Sequence, residues 1–315
     1  MKYLYIIVEI LFVLCFSPLI AGIQAKMEER LQSQQGPSIF QPYFDLIKLF
    51  RKESLVPKVS SPLFRFAPYM VFMFYLFLSI ILPIITAFPL PIASTADLIG
   101  GALFFSAASA IKTFAAIDSR SNYAHLGASR GSSFSVFAEP ILLVIFIMLG
   151  VVSSTNNPFV VNNVLRSSPG WYYSLLHGFI TVAFFILLIF ETGQLPVESH
   201  SHGELGMVDQ ALPFEYTGPD LAMYKWGGYM KSFIFMSIFL NVFLVPFWVP
   251  GKHAGLAIIL LYLLIHLAKL TVLVFIFALI NNTISKFKLY KNFDFLAIAF
   301  ALTFLATLSY YVINY

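Results

Sequence analysis

The stretch LAIILLYLLIHLAKLTVLVFIFALI, from Leu256 to Ile280, decides the fold class, because only His266 and Lys269 interrupt it with ionisable groups. A run of about 20 apolar residues matches a hydrocarbon core of about 30 Å. It shows no strict apolar–polar alternation, and backbone polar groups in lipid must be satisfied within the segment, so the run predicts a transmembrane helix rather than a barrel strand. Seven similar runs flank it: Tyr3 to Gln24, Ala67 to Pro89, Leu98 to Ile117, Phe134 to Val152, Tyr172 to Phe190, Tyr229 to Val249 and Phe293 to Val312. The expected fold is an all-α integral membrane protein of about eight transmembrane helices, forming one domain over residues 1–315.

Composition agrees. Of 315 residues, 59% are hydrophobic and 11% charged, with mean hydropathy +0.84, whereas a soluble domain carries about 25% charged residues. Lys2 before an apolar run looks like the start of a signal peptide, but the run exceeds the usual 7–15-residue apolar region, so it is read as the first span. The single cysteine, Cys15, allows no disulfide within the chain and no cysteine-ligated cluster built from it alone. Any redox centre therefore belongs to a partner. No phosphate-binding glycine loop, nucleophile elbow or zinc-protease signature is present in the sequence.

The net charge of +4 matters less than where the cations lie. One set of loops holds fourteen: Lys26, Arg30, Lys48, Arg51, Lys52, Lys58, Arg65, Arg120, Arg130, Lys225, Lys231, Lys286, Lys288 and Lys291. The opposite loops hold three, Lys2, Arg166 and Lys252, so the positive-inside rule places both termini outside the cell membrane. Most carboxylates lie on the same basic side, in or beside connections at about 25–66, 118–133, 191–228 and 281–292. From Phe40 to Phe50 the apolar residues recur at helical spacing with Asp45, Lys48 and Arg51 between them, which predicts an amphipathic interfacial helix. A second such segment is expected from His202 to Leu212.

Three loop stretches carry more specific information. AKMEERLQSQQGPSIFQPYFDLIKLFRKES (Ala25 to Ser54) resembles the loop after the first span in the subunit 1 family of respiratory complex I and its hydrogenase relatives. The matching elements are Glu28 to Arg30, Gly36-Pro37, Gln41-Pro42, Asp45, Lys48-Leu49 and Lys52-Glu53. GASRGSSFSVFAEP (Gly127 to Pro140) resembles the hydrogenase branch, with Gly131 where that pattern usually carries an acid and Glu139 retained. ETGQLPVESHSHGELGMVDQALPFEYTGPDLA (Glu191 to Ala222) resembles the loop after span five of the same branch through Glu191, Pro196 to Glu198, His202, Glu204-Leu205 and Glu215 to Gly218. It is one residue shorter between Glu198 and His202, and it carries Asp209-Gln210 where the relatives more often have His-Glu.

The resemblance implies the membrane anchor subunit of a group 4 membrane-bound nickel–iron hydrogenase or a close relative. Such a subunit docks a peripheral electron-transfer arm and couples its redox reaction to proton or sodium translocation. No cofactor is expected in this chain. Iron–sulfur clusters, and a NiFe centre in the hydrogenase case, are expected in a hydrogenase-like large subunit and iron–sulfur partners, with antiporter-like membrane subunits alongside. The chain would be a non-catalytic part of an oxidoreductase. The candidate coupling residues are Glu29, Asp45, Glu139, Glu191, His202, Glu204, Glu215, His266 and Lys269, with Arg30, Gln41, Lys48, Arg51 and Arg130 facing the partner.

Plainer readings stand beside these. Glu139 and Glu191 at span ends could snorkel to the headgroups, but intramembrane acids usually face a wet cavity or a partner charge. His266 and Lys269 share a helix face, where a structural pairing weighs as much as a charge chain; Lys112 has the same ambiguity. Glu9 reads as structural. His200, His202 and Glu204 could suggest a metal site, but adjacent polar loop residues rarely supply converging ligands without Cys, and the resemblance explains His202 and Glu204 without a metal. A quinone-binding complex I subunit, a sulfur-reductase anchor and a stand-alone secondary transporter are the rival functions. The transporter would show matching broken spans in two halves, and the sequence shows no internal repeat.

Overall fold

The computed structural model describes residues 2–84, 97–172, 174–194, 196–197, 211–245, 256–285 and 287–314. Seven described helices are long and apolar enough to cross a membrane: α1 (Lys2–Leu31), α3 (Pro62–Ile81), α4 (Leu98–Asp118), α5 (Asn122–Ser153), α9 (Gly218–Ile238), α10 (Leu256–Thr283) and α11 (Lys291–Asn314). The eighth expected span is α8 (Leu175–Glu191), apolar but only 17 residues long. Three shorter α-helices occur among the described residues: α2 (Gln41–Phe50), α6 (Pro158–Ser167) and α7 (Pro169–Tyr172).

Helix starts follow local side-chain chemistry. Asp97 accepts the Ile99 N–H at 3.2 Å to open α4, Asn157 accepts from Phe159 and Val160 to open α6, and Ser174 accepts from His177 to open α8. These side chains satisfy backbone donors that have no partner inside the helix. The α2 segment buries Pro42 and Leu46 against α1 and α9 and exposes Phe44 and Ile47, as its amphipathic pattern predicts. A side chain at Gly22 would strike the carbonyl of Ile39, so this glycine lets the approach to α2 lie against α1.

Several helices begin before the apolar run that announces them. The fourth starts at Asn122 rather than Phe134, and the sixth long span starts at Gly218 rather than Tyr229. Hydropathy marks the hydrocarbon depth; the helix continues beyond it through polar residues. Arg130 and Lys231, counted above as loop cations, are therefore on helices. The first helix likewise runs on to Leu31 and carries Glu28, Glu29 and Arg30.

The α9 span lies at the centre, packed by α1, α2, α3, α8 and α10, and 72% of it is buried. Its last turn widens into a π-helix at Phe239–Leu244. Its aromatic residues pack with Phe12, Phe72, Phe105 and Phe184 from four other helices.

Candidate functional site

A file of polar side chains runs along α9, each meeting a group from a different part of the chain. At its start, buried Asp220 accepts hydrogen bonds from Tyr69 at 2.9 Å and from the Ser54 hydroxyl. Beside it the Thr217 hydroxyl accepts the Leu55 N–H at 2.8 Å. Gly218, at φ +55°, packs so closely that a Cβ would lie 2.5 Å from the carbonyl oxygen of Glu53. Tyr216 stacks on Phe64 with ring centroids 4.1 Å apart and donates to the Phe64 carbonyl at 2.8 Å. Burial, reinforced by Asp220 and Asp118, pushes the Tyr216 phenol above its ordinary pKa. The Glu-Tyr-Thr-Gly stretch thus anchors the first basic-side loop.

Deeper along α9, the Tyr224 ring lies 4.9 Å from the ammonium of Lys112, which also sits over Tyr75 at 5.7 Å. Next, Lys231 pairs with Glu191 at the end of α8, at 2.6 Å, with both side chains less than one-fifth exposed. Glu139 from α5 lies within electrostatic reach of this pair and accepts a hydrogen bond from Ser106 of α4. Two carboxylates, from α5 and α8, thus face one ammonium from α9. Charged groups held within spanning helices face a partner charge or a wet cavity rather than lipid.

The file continues about 9 Å further, six helical rises along, where Ser237 and His266 hydrogen-bond at 3.0 Å. Asn241 donates to the carbonyl of Ile84 at 2.7 Å. Lys269 donates to the carbonyl of Val245 at 3.0 Å, meeting the negative end of the helix where the π-helix stops. His266 and Lys269 therefore hold successive points of α9.

A second polar group lies off this file. Gln24 and buried Glu28 of α1, Gln194 after α8 and Asn281 of α10 form a closed ring. Gln24 Nε2 donates to Glu28 Oε1 at 2.9 Å and to Gln194 Oε1 at 2.6 Å; Asn281 Nδ2 donates to the same two oxygens at 2.6 and 2.8 Å.

The structure thus brings Glu139 and Glu191 together and sets His266 and Lys269 along the same helix. Asp45 instead accepts from Gln41 at 2.9 Å on α2, and Glu29 sits one residue from the ring. Glu215 is half-buried beside the anchoring residues. Arg30, Gln41, Lys48 and Arg51 are exposed, and Arg130 is half-buried on α5. His202, Glu204 and most of the expected 202–212 helix lie outside the described residues. No group of three or more His, Cys, Asp or Glu side chains that could hold a metal occurs among the described residues.

Residues 2–312 match the sequence pattern of the NADH dehydrogenase family, the family of complex I subunit 1. The chain belongs to this family. Within it, the chain is 28% identical to formate hydrogenlyase subunit 4 of Escherichia coli (strain K12) over 92% of each protein. It is 26% identical to hydrogenase-4 component C of the same organism, over 90% of this chain and 88% of that protein. NADH-ubiquinone oxidoreductase chain 1 of Didelphis virginiana is 27% identical over 74% of this chain and 72% of that protein. Among solved structures, a chain of the membrane-bound sulfane sulfur reductase, an archaeal respiratory membrane complex, matches with TM-score 0.78 over 97% of this chain and 99% of that chain. At 21% identity that likeness shows a shared fold.

Sequence reading missed Lys231, Asp220, Ser106 and the amide ring. Lys231 left a signal, since it stands two residues inside the predicted Tyr229–Val249 run, where a cation needs a partner. Ser106, Gln194 and Asn281 left none, because neutral polar residues within and beside spans are ordinary.

Proposed function

We propose that the chain is the membrane anchor subunit of a multisubunit respiratory complex of the membrane-bound hydrogenase type. It docks a peripheral electron-transfer arm on its basic side and couples that arm's redox reaction to proton or sodium translocation. The Glu139–Glu191–Lys231 cluster carries this reading: two acids and one cation from three spanning helices meet where a loop joins the membrane interior. The full-length likeness to two hydrogenase-associated subunits of Escherichia coli supports the hydrogenase branch.

In this reading the basic side is cytoplasmic and both termini are outside. Turnover in the docked arm shifts charge near Glu29, Asp45, Glu204 and Glu215. The Ser54–Asp220–Tyr69 contact holds the first loop against α9, so its displacement is felt at Lys231. Glu191 and Glu139 then exchange charge with Lys231, and His266 and Lys269 extend the path through the membrane. The iron–sulfur clusters and the nickel–iron centre of such an assembly belong to partner subunits, with antiporter-like subunits beside α11 or α10.

Two measurements test it. The complex is purified from native membranes in mild detergent and assayed for nickel, iron and hydrogen evolution. Nickel with hydrogen activity supports the hydrogenase anchor; iron–sulfur partners without nickel shift the reading to a quinone- or sulfur-reducing relative. A chain purified alone with ion flux would overturn it. Separately, pumping that survives Glu139→Gln with Glu191→Gln removes the coupling role.

A further inference from the structure

Glu139 ends a polar seam between α4 and α5 that its contacts with Glu191 and Lys231 do not account for. The two helices are joined by a short turn, so they run antiparallel, and they pack against each other. Along the seam their side chains meet in successive pairs. Ser106 donates to Glu139, and one turn nearer the basic side Ser109 and Ser135 hydrogen-bond at 3.2 Å. Hydroxyls elsewhere in the spans, such as Ser79, Ser153, Thr271 and Thr303, donate to a carbonyl of their own helix. Ser109 and Ser135 instead meet across two helices, and either can be the donor. A proton accepted by one oxygen can therefore leave from the other.

The same register sets Thr113 opposite Gly131 at the next turn. A Cβ added at Gly131 would meet no atom within 4 Å, and Gly131 stands just before Phe134, where the apolar run begins. The seam is thus open at the basic-side edge of the membrane. At its other end the register sets Ala102 opposite Leu142, both buried, so it is closed behind Glu139. From Gly131 to Glu139 is eight helical rises, about 12 Å, with the hydroxyl pair half way. Each remaining step of about 6 Å is one that a single water molecule bridges.

We propose that the α4–α5 seam is a proton inlet to Glu139. Water at Gly131 gives a proton to the Ser109–Ser135 pair, the pair releases one of its own to a water beside Glu139, and the carboxylate takes up a proton from that water. Each oxygen regains what it loses, so the net change is one proton moved from the basic side to Glu139. Ser106 is a positioning residue that holds the carboxylate at the end of the seam. The inlet deepens the coupling role proposed for Glu139 and rests on it.

The test uses the intact complex in sealed vesicles, with turnover-driven proton pumping measured in H2O and D2O beside thermal unfolding. Ser109→Ala with Ser135→Ala is expected to lower pumping about a hundredfold, the smaller effect of removing a positioned proton carrier, and to deepen the slowing in D2O. Ser109→Thr with Ser135→Thr keeps both hydroxyls and is expected to restore pumping. Gly131→Leu, which fills the notch and leaves the hydroxyls in place, is expected to slow pumping at an unchanged unfolding temperature. Wild-type pumping in either the alanine pair or Gly131→Leu overturns the inlet. So does a lowered unfolding temperature with pumping unchanged, the result for hydroxyls that merely hold two helices together. Glu139→Gln separates the two readings: if it abolishes pumping while the seam variants do not, the inlet alone fails, and if pumping survives it, the coupling role of Glu139 fails too.

Discussion

The α9 and α11 helices are both long enough to cross the membrane, yet 72% of the α9 span is buried against 22% for α11. Along α9 the buried surface carries Asp220, Tyr224, Lys231, Ser237 and Asn241, each matched to a group from another element. Along α11 the outer surface shows Ile298, Phe304, Leu305, Leu308 and Val312 to lipid or to a neighbouring subunit. A central helix tolerates polar residues because the protein supplies their partners; a peripheral one must stay apolar because lipid supplies none. The contrast places the partnered polar groups on the less hydrophobic of the two.

Substitutions along both helices can break or sharpen that contrast. The largest effect is expected from Lys231→Ala, which leaves Glu191 beside Glu139 without its cation. Loss of one partner of a buried pair costs about 3–5 kcal/mol, so thermal unfolding in detergent should fall markedly and coupled pumping in vesicles should vanish. Near wild-type behaviour would put the functional centre elsewhere. Asp220→Ala is expected to cost about 1–3 kcal/mol by leaving the Ser54 and Tyr69 hydroxyls unmatched, and to speed proteolysis at exposed Arg51 and Lys52. An unchanged cleavage rate would mean that the first loop is held without this carboxylate.

Gly218→Ala is expected to cost about 1–2 kcal/mol from the left-handed backbone alone, with added strain against Glu53; thermal unfolding checks it. Tyr216 predicts a pH effect. Its phenol is raised in the folded protein, so its contribution is complete below the unfolded value of about 10 and is lost as pH rises through the folded value. Tyr216→Phe should flatten the alkaline loss of stability above pH 10; an identical slope would remove Tyr216 from that transition. The smallest effect belongs to α11, where Phe304→Ala in the purified chain should stay within about 0.5 kcal/mol.

Much of this is legible in the sequence. Apolar runs of spanning length give the helices, because lipid imposes the same demand on every segment that crosses it. Glu139 and Glu191 were legible as acids at run ends. The first three turns of α9 were obscured because hydropathy begins the span at Tyr229, whereas the helix begins at Gly218 and Pro219, where proline needs no backbone donor. The ring was not legible, since Glu28 and Asn281 are 253 positions apart and nothing in their immediate neighbourhoods distinguishes them. The pairing of Ser54 with Asp220 is equally remote, at 166 positions.

The 17 residues of α8 span about 25 Å, short of a hydrocarbon core of about 30 Å. Its far end meets α7, which packs in turn on α6; Phe159, Leu165 and Trp171 of these two helices are buried in protein. The rest of the layer at this position is therefore made up by short helices folded over the end of α8 rather than by one continuous span.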